Sequence, residues 1–202
     1  MKFQPEETAP TADKWVSLMS LPDRLQWISP EEAPPPCLPV DRPLPARQRL
    51  PKAPIRRIGW VSAGNPEHFN DRNRSRGPKS LGKFRLPASI QAFRVQPDAR
   101  MADELPFALN APEIELTDFS DTARWLKTLD LVITVDTSVA HLAGGLGIPV
   151  WILLPYAPDW RWGTDGKTTR WYGSARLFRQ PQPNDWLSVL QSVQESLETM
   201  AA

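Results

Sequence analysis

Asp136, Thr137 and Ser138 stand directly after the apolar run Leu131-Val132-Ile133-Thr134-Val135, and His141 follows Thr137 by four residues. A buried strand that stops at an acid and passes at once into a helix leaves the first-turn N–H groups without internal partners. The helix dipole adds partial positive charge at the same place. A diphosphate satisfies both, helped by the hydroxyls of Thr137 and Ser138. His141 projects from the same helical face one turn further on, where its imidazole can donate to a phosphate or hold Asp136. Two plainer readings stand beside these: ordinary N-capping for Thr137 and Ser138, and a half-buried structural histidine for His141.

A second group lies between Gly64 and Ser75. Arg72 and Arg74 can pair with phosphate oxygens bidentately, and Asn65 and Ser75 offer neutral hydrogen bonds. A third is Pro155-Tyr156-Ala157-Pro158-Asp159-Trp160-Arg161-Trp162-Gly163, where aromatic rings flank Asp159 and Arg161. These side chains can stack on a base or sugar, or they can simply pack a long loop onto the domain. Each group follows a different strand-like segment, so the three converge on one edge of any parallel sheet built from those strands.

Other chemistries lack their signatures. There is no Gly-x-Gly-x-x-Gly, no P-loop and no Gly-x-Ser-x-Gly elbow. His68 and His141 have no cysteine cluster or spaced histidine beside them, so no metal site and no cofactor is expected. The lone Cys37 precludes an internal disulfide. Of the 202 residues, 41% are hydrophobic and 23% charged, as in soluble globular proteins. No apolar run is long enough to cross a bilayer and the N-terminus has no signal core, so a cytoplasmic protein without a transmembrane segment is expected. The net charge of +1 hides an asymmetry, because Arg47 to Arg85 holds eleven Lys or Arg against two acids. Such a stretch attracts anions. Its arginines are punctuated by proline and do not recur on one helical face, which argues against nucleic acid as the partner.

The elements that must position these groups begin after Pro54. Residues 1–54 read as an N-terminal extension and connector: an acidic, proline-containing start that looks disordered, an apolar stretch from Trp15 to Ile28, then nine prolines among the 25 residues from Pro30 to Pro54. Residues 55–202 read as one domain. Strands are expected at Arg57–Ser62, Ile90–Val95, Glu113–Leu116, Leu131–Val135, Pro149–Leu154 and Ala175–Phe178. Helices are expected from Asp118 or Ser120 to Leu129, from Thr137 to Leu146 ending at Gly147, and from Asp185 to Thr199. Strand–helix alternation predicts an α/β, Rossmann-like and mainly parallel sheet with helices on both faces. Ligands bind such sheets at the carboxyl ends of the strands.

The stretch from Asp130 to Trp151 resembles the signature of the heptosyltransferase-like glycosyltransferases (family 9). The segments Leu153–Trp162, Trp171-Tyr172, Arg176–Gln180 and Ala63–Ser75 are similar to one branch of that family, bacterial proteins in which tetratricopeptide repeats are fused to a glycosyltransferase-like domain. The resemblance covers roughly residues 55–195. It implies the C-terminal, donor-binding half of a GT-B enzyme, which takes a nucleotide-diphosphate sugar without a metal. Asp136, Thr137 and His141 then match positions around the donor diphosphate and sugar, and Arg72 or Arg74 supplies positive charge to the leaving group. The acceptor-side domain, with the family's catalytic base, would come from a partner chain. Without it the domain would be a non-catalytic protein-interaction module. The segments Arg76–Ser89 and Arg94-Val95-Gln96-Pro97 depart from the family's usual pattern.

Overall fold

The computed structural model describes Gln26 and residues 56–68, 70–75, 84–96 and 105–201. The expectations for the apolar stretch from Trp15, for Cys37 and for the proline-rich connector lie outside the described residues.

Among the described residues, six strands form one sheet: β1 (Arg56–Val61), β2 (Ile90–Arg94), β3 (Leu109–Asn110), β4 (Leu131–Val135), β5 (Val150–Leu154) and β6 (Ala175–Arg179). Every neighbouring pair is parallel, and the order is β3-β2-β1-β4-β5-β6. The described helices are the single turn α1 (Asp71–Arg74), α2 (Phe119–Leu126), α3 (Ser138–Gly145) and α4 (Trp186–Ala201), with a 3₁₀ turn at Trp160–Trp162. This is an α/β, Rossmann-like fold. Its strand order is that of the doubly wound nucleotide-binding sheets, with a topological switch between β1 and β4.

The apolar runs become central strands because both sheet faces are covered. All five residues of β4 and of β5 are buried. On one face Ile58, Ile133, Val135, Trp151 and Leu153 meet Trp186, Val189, Leu190, Val193 and Leu197 of α4. On the other, Val132, Val150, Ile152 and Leu154 meet Trp125 and Leu126 of α2 and Val139, Ala140 and Ala143 of α3. The β6 edge is closed by the loop before it: the Leu177 N–H donates to the Lys167 carbonyl (2.8 Å) and the Ala175 N–H to that of Tyr172 (3.0 Å). Arg179 holds the loop in place through the carbonyls of Trp162, Gly163 and Gly166. A covered edge of this kind cannot pair with another strand.

The third strand is a correction. Glu113–Leu116 forms no strand; its place is taken by Leu109–Asn110, which pairs with Ala92–Phe93 while the Asn110 amide donates to the Ala92 carbonyl (3.0 Å). The alternation that suggested a strand has another origin. Ile114 and Leu116 pack on the α2–α3 face, and Glu113 turns to Arg57 (2.9 Å).

Candidate functional site

The switch between β1 and β4 puts two chain segments side by side at the carboxyl edge, residues 62–68 after β1 and residues 136–138 after β4. Arg74 ties them together. Its guanidinium donates to the Asp136 carbonyl (2.9 Å) and pairs with the Asp71 carboxylate (3.3 Å). Asp71 also accepts from the Ser75 hydroxyl (2.5 Å), and the Ser75 oxygen accepts from the Gly64 N–H (2.7 Å). A Cβ at Gly64 would stand 2.8 Å from the Arg74 guanidinium lying across it, so a larger residue there would push that guanidinium aside.

This bridge closes one wall of a cleft of about 680 Å³, within the size range of small-ligand sites. Residues 60–66, Arg74, Arg94, Val95, Gln96, Leu105, Leu109, Thr137 and Ser138 line it. Trp60, Leu105 and Leu109 give it an apolar side, and Trp60 is fixed there by edge and tilted contacts with Phe107 (5.1 Å) and Phe84 (5.3 Å). Polar groups come from Ser62, Asn65, Gln96, Thr137, Ser138 and the two arginines. None of the described lining residues is acidic.

Thr137 occupies the N-cap of α3, yet its hydroxyl makes no capping bond. It is buried and pairs instead with Thr134 (3.1 Å), whose own hydroxyl donates to the Val135 carbonyl (2.8 Å). The plain capping role is therefore not the one this hydroxyl plays, and among the described residues no side chain accepts from the first-turn N–H groups of α3. A helix start of this kind offers N–H donors and partial positive charge to an anion.

Of the residues singled out in the sequence, Asn65, Arg74, Thr137 and Ser138 meet in this cleft. Arg72 is exposed and does not line it. His141, Asp159 and Arg161 belong to a neighbouring group. The His141 ring stacks on Trp162 (centroids 5.1 Å apart, planes 16° apart), and its Nδ1 lies 2.9 Å from the Tyr172 hydroxyl. Its Nε2 is 3.9 Å from Asp136 Oδ1, so Asp136 joins the two groups: its carbonyl faces Arg74 and its carboxylate faces His141. Burial lowers the His141 pKa and Arg161 adds to that, against the raising pull of Asp136 and Asp159. Burial likewise raises Tyr172, which keeps its hydroxyl protonated. Asp159 caps the 3₁₀ turn by accepting from the Arg161 N–H (3.0 Å) and pairs with the Arg161 guanidinium (2.8 Å). Partial burial opposes its ionisation, but the hydrogen bonds and charge of Arg161 outweigh this and hold the carboxyl below its ordinary value.

Arg94, Gln96, Trp60 and Tyr172 were not picked out as site residues. The first two had an available signal: they stand at the carboxyl end of β2, and the rule that ligands gather at strand ends applies there as it does to β1 and β4. Among the described residues no helix is long and apolar enough to cross a membrane, and no three His, Cys, Asp or Glu side chains cluster as metal ligands would. No protein-family model matches the chain, and no curated protein matches it significantly.

Proposed function

We propose that the domain binds the diphosphate of a nucleotide sugar in the cleft between the ends of β1 and β4, as the donor half of a glycosyltransferase. The observation that supports this is the cleft itself, an acid-free cavity among the described residues, lined by Arg74 and Arg94 and met by the uncapped first turn of α3. Preorganised cations and N–H groups of this kind stabilise charge developing on a leaving diphosphate. Trp60, Leu105 and Leu109 supply the apolar wall a nucleoside needs. With an acceptor domain contributed by a partner chain, the reaction would be metal-independent and inverting. An acceptor hydroxyl attacks the anomeric carbon, the bond to the diphosphate breaks, and nucleoside diphosphate leaves.

The test is thermal unfolding with ADP, UDP, GDP and their sugar conjugates. A ligand at one hundred times its Kd stabilises the folded state by about 2.7 kcal/mol, a rise of roughly 5–10 °C in Tm at this size. One nucleotide series should give such a shift, and Asn65→Ala and Arg74→Gln should reduce or remove it. A second reading, a non-catalytic protein-interaction module, is favoured by the exposure of Trp160 (66%) and Tyr156 (56%) on the segment after β5. Protein that melts cooperatively but shifts with no nucleotide at millimolar concentration would discard donor binding in favour of that reading.

A further inference from the structure

Arg94 sits at the carboxyl end of β2, in register with Trp60 of β1, and its half-buried side chain lines the cleft. Its carbonyl accepts from the Trp125 indole N–H (3.0 Å), but among the described residues its guanidinium has neither an ion-pair nor a hydrogen-bond partner. The other buried or half-buried arginines nearby are engaged. Arg57 is held by Glu113, and Arg74 by Asp71 and the Asp136 carbonyl. A guanidinium left without a counter-charge in a cavity whose described lining holds no carboxylate is held ready for an anion.

The strand order says which part of a ligand that anion belongs to. In sheets of this order the phosphates of a nucleotide lie at a helix N-terminus beside the switch, and the ribose reaches the end of the neighbouring strand. An acidic residue at that strand end takes ribose hydroxyls; an arginine there takes a phosphate carried on the ribose. Here the strand end carries Arg94 and Gln96. The start of α3 and Arg74 lie across the cleft on the β4 side of β1, while Arg94 lies on the β2 side. The two cationic positions are thus on opposite sides of β1, with Trp60 contributing to the wall between them.

We propose that the cleft takes a nucleotide bearing a second anionic group apart from its diphosphate, and that Arg94 binds that group. The inference rests on nucleotide binding at this cleft. Two ligand chemistries supply such a group, and they correspond to the two directions in which a nucleotide sugar can lie. A phosphate on the ribose reaches Arg94 if the nucleoside points toward β2, the direction the strand order favours. A carboxylate on the sugar reaches it if the ligand is reversed.

Calorimetric titrations of the full chain with matched pairs test this. The pairs are AMP against adenosine 2′,5′- and 3′,5′-bisphosphate, which differ only by the ribose phosphate, and UDP-glucose against UDP-glucuronate. Charge-assisted Arg–phosphate bonding makes the ligand with the extra anion the tighter binder by about tenfold or more. Arg94→Gln should erase that margin, and Arg94→Lys should restore part of it. A margin in the bisphosphate pair identifies the ribose as the source; one in the uronate pair identifies the sugar. Nucleotide binding with no margin in either pair, or a margin that survives Arg94→Gln, overturns the proposal while leaving nucleotide binding intact. Failure of every ligand to bind overturns both.

Discussion

At the scale of single residues, His141 is the most constrained group near the cleft. Its Nε2 lies 3.9 Å from the Asp136 carboxylate and its Nδ1 2.9 Å from the Tyr172 hydroxyl, an arrangement that suits a proton on Nε2 and a Tyr172 hydroxyl donating to Nδ1. The electrostatics thus favour the Nε2–H tautomer of the neutral imidazole. The chain has only two histidines, so an NMR titration resolves it. His141 should titrate below its ordinary value of 6.5 because it is buried, lower still in Asp136→Asn and higher in Arg161→Gln. In Tyr172→Phe the tautomer preference should weaken, because Nδ1 loses its donor. A midpoint at or above 6.5 would refute this account of the site. The sign for stability follows from linkage. Above about 6.5 both folded and unfolded chains carry the neutral ring. As pH falls from there toward the lower folded pKa, the unfolded chain takes up a proton that the folded protein resists, and stability is lost. His141→Gln should remove that part of the acid destabilisation in denaturant melts run between pH 8 and 5. The spacing of Thr137 and His141 was readable in the sequence. Tyr172 was not, because it reaches His141 from 31 positions away through the loop that covers the edge of β6.

At the scale of elements, what aims the start of α3 at the cleft is the way the helix ends. Gly147 has φ of +69°, its N–H donates to Gly144, and the Ile148 N–H donates to Ala143, both at 3.0 Å. These two bonds form the Schellman motif, and they turn the chain straight into Pro149 and β5. Gly147→Ala forces an L side chain into the left-handed region, a cost of about 1–2 kcal/mol. Its Tm should fall by roughly 2–8 °C with the fold retained, and an unchanged Tm would show that the motif contributes nothing. The cap of α2 is similar in kind, with Asp118 accepting from the Asp121 N–H at 2.8 Å, and Asp118→Ala should cost about 1 kcal/mol. Asp121 itself is held down to about 2, first by the Thr117 hydroxyl, then by Arg124 and the Thr117 N–H. Its contribution is present above the ordinary 3.8 and is lost as pH falls toward 2. Asp121→Asn should therefore flatten the pH dependence of stability across that window. These ends were legible in the sequence because capping is local chemistry: Asp118 and Gly147 announce themselves by type and position. The strand expected at Glu113–Leu116 failed for the opposite reason. Its alternation came from Ile114 and Leu116 packing on the far face and Glu113 reaching Arg57, contacts 56 residues apart that no local window contains.

At the scale of the whole molecule, the alternation of strands and helices was enough to foresee a parallel sheet, and the strand order was not. That order decides which strand ends become neighbours. It joins Asn65 and Arg74 to Thr137 and Ser138 across the β1–β4 switch, adds Arg94 from β2, and leaves Arg161 with His141 beyond β4. A ligand seated at the switch would therefore touch three segments that are distant in sequence and leave the rest of the sheet alone. Backbone amides slow their exchange where a ligand covers them or removes local opening. Amide exchange with and without the best-binding nucleotide should show protection concentrated at residues 62–66, 94–96 and 137–141. The amides of α4, which packs on the opposite side of the core from α3, should exchange at the same rate with or without ligand. Protection confined to residues 156–163 would instead locate the ligand on the exposed aromatic segment after β5. Uniform protection that vanishes with added salt would point to loose attraction by the basic stretch from Arg47 to Arg85, since screened surface charge acts without a fixed contact. Only the three-segment pattern requires the strand order that the fold provides, and its absence in a nucleotide-saturated protein would remove the β1–β4 switch from any account of binding.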